Sequence, residues 1–166
     1  MLISLVVFSC KEEKKNDLIE EKIGNDFFVV KLNVVAQKDD SFHVFYTEDG
    51  SINFNEENSV WFEFKGSPEK QDLVFNLPEG VSPNQLRLDF GINKEQGDVK
   101  INNIEVSYKG KVLNIPGAMF TKYFTANESS TKVDTLGQTL KPIEEGINTS
   151  LYPLESLQPE LEKLLQ

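Results

Sequence analysis

From about residue 26 onward, apolar and polar side chains alternate with a period of two. In Asp26 to Ala36 the even positions Phe28, Val30, Leu32 and Val34 are apolar, whereas the odd positions include Lys31 and Asn33. A strand with one face in a core and the other in water has this pattern. The same alternation predicts strands at Phe42 to Thr47, Ser59 to Lys65, Asp72 to Leu77, Gln85 to Phe90, Val99 to Tyr108, Lys111 to Ile115 and Met119 to Ala126, which makes about eight in all. Turn-forming residues separate them, as in Glu48-Asp49-Gly50-Ser51, Lys65-Gly66-Ser67-Pro68, Pro78-Glu79-Gly80, Gln96-Gly97-Asp98 and Lys109-Gly110-Lys111. Short strands in this succession, without helical patterns between them, predict an all-β, antiparallel sandwich. Within Val99 to Tyr108 the apolar set changes parity, from Val99 and Ile101 to Ile104 and Val106, so a bulge is expected at Asn102-Asn103.

The stretch from Leu140 to Gln166 reads differently. Pro142, Pro153 and Pro159 interrupt any ladder or long helix. This segment is expected to wrap the sandwich without joining a sheet, and to end in a short helix with Pro159 at its start and Glu160 and Glu162 near it. Residues 26–139 are thus assigned to the sandwich and 140–166 to a C-terminal wrap.

Composition narrows the function. The 166 residues suit one domain, and 39% hydrophobic residues with 12 Phe suffice for a packed interior. Seventeen basic against 27 acidic side chains give a net charge of -10, which repels a phosphate backbone and makes nucleic acid an unsuitable partner. One His and one Cys allow neither a disulfide framework nor a zinc cluster. No nucleophile elbow accompanies His43, which alternates with Phe42 and Val44 and reads as a strand residue facing solvent. Paired carboxylates at Glu12/Glu13, Glu20/Glu21, Asp39/Asp40, Glu56/Glu57 and Glu144/Glu145 could suggest glycoside hydrolysis, but all fall in tether, loop or tail, where acids mainly solvate a surface. The expectation is a protein that is not an enzyme and has no cofactor. A structural calcium near Asp49, Asn53, Asn55, Glu56 or Asp98 is chemically feasible, although no EF-hand-like loop is present.

Three residues on the wet faces stand out, one of them because it breaks the alternation rule. In Ser59 to Lys65 the apolar set is Val60, Phe62 and Phe64, which leaves Trp61 on the polar face beside Glu63 and Lys65. An indole there could stack on the C–H face of a pyranose, or it could be ordinary packing under the C-terminal wrap. Arg87 and Asp89 lie two apart and point away from Leu86, Leu88 and Phe90; Arg87 is the only Arg in the chain. The pair could bind sugar hydroxyls, or it could tie the strand to a neighbour. Trp61, Arg87 and Asp89 are the candidate ligand-binding residues.

The N-terminus carries a different signal. Residues 2 to 9, Leu-Ile-Ser-Leu-Val-Val-Phe-Ser, would span only about 12 Å as a helix, too short to cross a hydrocarbon core of about 30 Å. The run ends with Ser9 before Cys10, the only Cys. It resembles the lipobox of bacterial lipoproteins, which implies cleavage before Cys10 and lipidation of its thiol. The apolar run is short and no basic residue precedes it, as a translation start placed too far downstream would produce. Residues 1–9 are read as this signal and 10–25 as a charged tether. Lys11-Glu12-Glu13 after the Cys is similar to the surface-export signal of Bacteroidetes lipoproteins. The alternatives are a frayed apolar terminus and an ordinary polar linker. Asp134-Thr135-Leu136 looks like the short O-glycosylation motif of the same bacteria.

One further resemblance concerns the domain. Phe75-Asn76-Leu77-Pro78, Leu86-Arg87-Leu88-Asp89-Phe90-Gly91 and Val99-Lys100-Ile101-Asn102-Asn103-Ile104-Glu105-Val106 resemble a recurrent pattern in galactose-binding-like, carbohydrate-binding-module-like domains, across roughly residues 26 to 127. That resemblance implies a jelly-roll topology and a module that binds sugars or, in some members, other small ligands or proteins. Two functions follow as expectations. One is a lipid-anchored module of the bacterial envelope, in the outer membrane or at the cell surface, that binds neutral glycans. The other is an envelope lipoprotein whose sandwich contacts another protein or serves as a structural module.

Overall fold

The computed structural model describes residues 26–166. The strands are β1 (Val29–Ala36), β2 (Asp40–Thr47), β3 (Ser59–Phe64), β4 (Ser67–Asn76), β5 (Gln85–Phe90), β6 (Val99–Tyr108), β7 (Lys111–Pro116), β8 (Phe124–Ala126), β9 (Thr131–Asp134), β10 (Thr139–Pro142) and β11 (Thr149–Pro153), followed by one helix, α1 (Gln158–Leu165). They form two antiparallel sheets. The first runs β4-β1-β6-β10-β9, with β7 sharing the far edge of β6, and the second runs β3-β2-β5-β11-β8. The described chain is therefore all-β, with sheet facing sheet across one apolar core.

Alternation does the sorting. Phe28, Val30, Leu32 and Val34 are essentially inaccessible, as are Phe42 and Val44 of β2, Leu86 and Leu88 of β5, and Ile104 and Val106 of β6. Phe42 meets Phe64 and Phe90 edge-on, with ring centroids 4.6 and 5.3 Å away. The change of parity in β6 has the expected cause: Asn33 pairs with Asn103 while Val34 pairs with Ile101, so Asn102 is an extra residue. That bulge lets Ile101 and Ile104 both face inward.

Eleven strands replace the eight expected. β4 begins earlier, at Ser67, and tolerates Pro68 because it is the edge of its sheet. Residues Gly117–Lys122 form a 3-10 turn, so only Phe124–Ala126 of the expected Met119 to Ala126 strand is extended. A Cβ on Gly117 would overlap the carbonyl oxygen of Ile101, so the turn depends on that close approach.

The larger correction concerns the tail. Residues 140–166 do not merely wrap the sandwich: β10 pairs with β6 and β9, and β11 lies inside the second sheet between β5 and β8. The prolines fit because Pro142 and Pro153 are the last residues of their strands, where no further ladder bond is needed. The terminal helix forms as expected, with Pro159 in its first turn, Glu160 near the N-terminus and Lys163 in the last turn. Its Leu161 and Leu164 are buried, and it packs against β6 and β7.

Candidate functional site

Strand order assembles the site. On the outer face of the second sheet, Trp61 of β3 pairs with His43 of β2, His43 pairs with Asp89 of β5, and Asp89 pairs with Ser150 of β11. Directly opposed residues share a face and lie about 5 Å apart. The four side chains therefore form one row across the sheet. In the next row Phe45 pairs with Arg87.

The floor under this row is aromatic. Trp61 stacks on His43 with centroids 3.6 Å apart and planes 19° from parallel, and Phe45 lies 3.9 Å from His43 on the same strand face. Phe54, from the long loop between β2 and β3, stands edge-on to Phe45 and Tyr152. Arg87 is held between two of these rings, its guanidinium carbon 4.8 Å from both the Phe45 and the Tyr152 centroid. From there it grips Asp89 in a two-pronged bond, Nε donating to Oδ1 at 2.8 Å and an amino nitrogen to Oδ2 at 2.6 Å. Trp61, Arg87 and Asp89 thus line a single cavity of about 400 Å3. Its lining also includes Glu56, Asn127, Asn148 and Ser150.

His43 departs from expectation. Its strand position does point outward, but Trp61 covers the ring and leaves it 3% exposed, so it does not face solvent. Its Nε2 is buried without a hydrogen-bond partner among the described residues, with Glu56 Oε2 3.7 Å away. Burial holds the His43 pKa below the ordinary imidazole range; Glu56 opposes the shift and the Arg87 charge adds to it. Trp61 itself is 46% exposed and is not covered by the C-terminal segment.

Asp89 shows the converse effect. Burial raises its pKa, the Arg87 fork opposes the rise, and the nearby Glu56 charge adds to it. Replacing Arg87 with Ala would leave this carboxylate without its counter-charge. The side chains are 24% and 22% exposed, so the cost is expected to fall at the lower end of that for a broken buried pair, about 3 kcal/mol near pH 8. A carboxyl whose folded-state pKa is raised loses its penalty as pH falls and it takes up a proton, so the deficit should shrink towards about pH 4. Urea unfolding of both proteins at the two pH values checks this; a deficit that stays constant or grows in acid would contradict it.

The five residues considered for calcium do not all meet at one place. Asp49, Asn53 and Asn55 line one hollow, whereas Asp98 pairs with Lys141 elsewhere and Glu56 also borders the Trp61 cavity. Asp49 and Asn55 use side-chain oxygens to accept the Ser51 and Asn58 amides. Among the described residues, no three His, Cys, Asp or Glu side chains gather as a metal-binding set. Cys10 and the tether lie outside the described residues. Compared with known family models, curated proteins and solved structures, the chain gives no match.

His43, Phe45, Glu56, Asn127, Asn148, Ser150 and Tyr152 join the site without having been expected there. A signal for two of them was present: the odd face of β2 carries His43 and Phe45, aromatic rings on a nominally wet face. The others come from loops and from a strand that the alternation did not reveal.

Proposed function

We propose that this chain is a non-catalytic carbohydrate-binding module that takes neutral glycans on the outer face of its second sheet. The observation that carries the reading is Trp61, a half-exposed indole beside a fixed Arg87–Asp89 pair in one concave site. The indole offers a flat apolar surface to sugar C–H groups, and Asn127 and Asn148 in the lining can meet hydroxyls. A net charge of -10 disfavours polyanionic glycans, since each sulfate or uronate approaches a negative field. Binding without catalysis suits the groups present. Within the cavity the Asp89 carboxylate is fixed by Arg87 and the His43 Nε2 is buried, which suits a recognition surface.

The resemblances extend the proposal. A galactose-binding-like jelly roll on a charged tether, acylated at Cys10, would hold this face outward from a bacterial envelope, in the manner of Bacteroidetes lipoproteins. One acyl chain binds membranes only marginally, so anchoring would use the several chains a lipoprotein carries. Cys10→Ala is then expected to move the protein from the membrane to the soluble fraction; unchanged membrane association would refute lipidation. A neutral glycan array probed with the chain tests the binding itself. Capture of one glycan class is expected, and uniform absence of signal would oppose the reading.

A further inference from the structure

The cavity beside Trp61 does not stop at that residue. Ile92, which lines it, also lines a second hollow of about 660 Å3 bordered by Ser41, Glu63, Lys65 and Asn93. The register explains the continuity. Glu63 follows Trp61 by two residues on the same face of β3 and pairs with Ser41, which precedes His43 by two residues on β2. At about 3.4 Å per residue, the face from Trp61 to Lys65 extends about 14 Å, longer than a single pyranose ring.

The border that the two hollows share is fixed. Ile92 is 58% exposed, yet its loop is pinned from beneath by Asp40, whose Oδ1 accepts the Ile92 and Asn93 amides at 2.8 and 3.0 Å. Gln96 donates to the other Asp40 oxygen at 3.2 Å. Gly91 is needed beside this clamp, because its φ is +102° and a Cβ there would overlap the Asp40 carboxylate. An exposed apolar side chain is thus held at the border of the two hollows by a buried carboxylate.

We infer that the two hollows form one trough that takes a linear neutral oligosaccharide along its length, rather than a single terminal sugar. Trp61 carries one ring, Ile92 supplies apolar contact at the passage, and Ser41, Glu63 and Lys65 meet the hydroxyls of the units beyond. Charges in the second hollow are of both signs, with Lys65 paired to Asp39 at 2.7 Å, which suits a ligand without net charge. The inference rests on the glycan-binding reading above and adds to it that the interior of a chain is recognised.

Titration calorimetry with β-1,4-linked gluco-, manno- and xylo-oligosaccharides of one to six units tests it. In the series that binds, affinity is expected to rise at least about tenfold from one unit to six. The double variant Glu63→Ala/Lys65→Ala, altered only at exposed side chains, is expected to remove most of that rise. Equal affinity at every length, or a rise that survives the double variant, would overturn the trough and leave glycan binding standing. No binding by any member of the three series would overturn the trough, and a blank neutral glycan array beside it would overturn glycan binding as well.

Discussion

Replacing Trp61 with Ala is expected to abolish measurable glycan binding while lowering the melting temperature by only about 5 °C. The two effects separate because the indole has two faces with different duties. One lies on His43, and the other is open, which leaves the residue 46% exposed. A fully buried Trp costs about 3 to 5 kcal/mol on truncation. Burying roughly half as much surface should cost about 1 to 2 kcal/mol, or a few degrees for a domain of this size. Binding has no such reserve, since stacking on a sugar uses the open face and no other residue of the row offers one. Calorimetry against the best array ligand and a thermal melt of the same variant read the two effects. A variant that fails to fold would assign Trp61 to the core, and one that binds normally would take it out of the site.

Truncation after residue 139 is expected to unfold the domain. The lost segment contains Leu140, Leu151, Leu157, Leu161 and Leu164, all buried. Burying each such side chain stabilises by about 1.5 to 3 kcal/mol, so together they match the whole stability of an ordinary domain, about 5 to 15 kcal/mol. The strand β11 is also the ladder partner of both β5 and β8. Its removal would strip backbone groups at the centre of a sheet as well as side chains from the core. Circular dichroism and a thermal melt of residues 26–139 check this. A cooperative transition near that of the longer chain would mean that the segment is only a wrap.

The strands that were legible in the sequence are those long enough to repeat the alternation several times, such as β1, β5 and β6, where each inward residue is large and apolar. β9, β10 and β11 have four or five residues each, with Thr, Ser and Lys among them, and β10 and β11 end on prolines, so the period hardly begins before the strand ends. Proline was read as a breaker of ladders, whereas here it marks where ladders finish.

The site divides in the same way. Trp61 could be picked out because it violates the alternation, and Arg87 and Asp89 because they are opposite charges two apart on one face; both signals are visible in one strand. Their meeting could not be foreseen. It depends on β2 lying between β3 and β5, a non-local fact that also sets His43 beneath Trp61. The outward parity of His43 was read correctly, but parity says which face a side chain takes and not what the neighbouring strand lays over it. Ser150 was beyond reach for a further reason, since it lies on a strand that itself was not legible.

A neutral glycan on the open face of Trp61 would change the surroundings of the indole directly. Trp61 is the only Trp in the chain, so its fluorescence reports on that face without labelling. In a titration with a glycan that calorimetry shows to bind, Trp61 emission is predicted to shift to the blue and saturate with the calorimetric dissociation constant, as the ligand displaces water from the indole. Binding that leaves the emission unchanged would place the ligand elsewhere, away from Trp61.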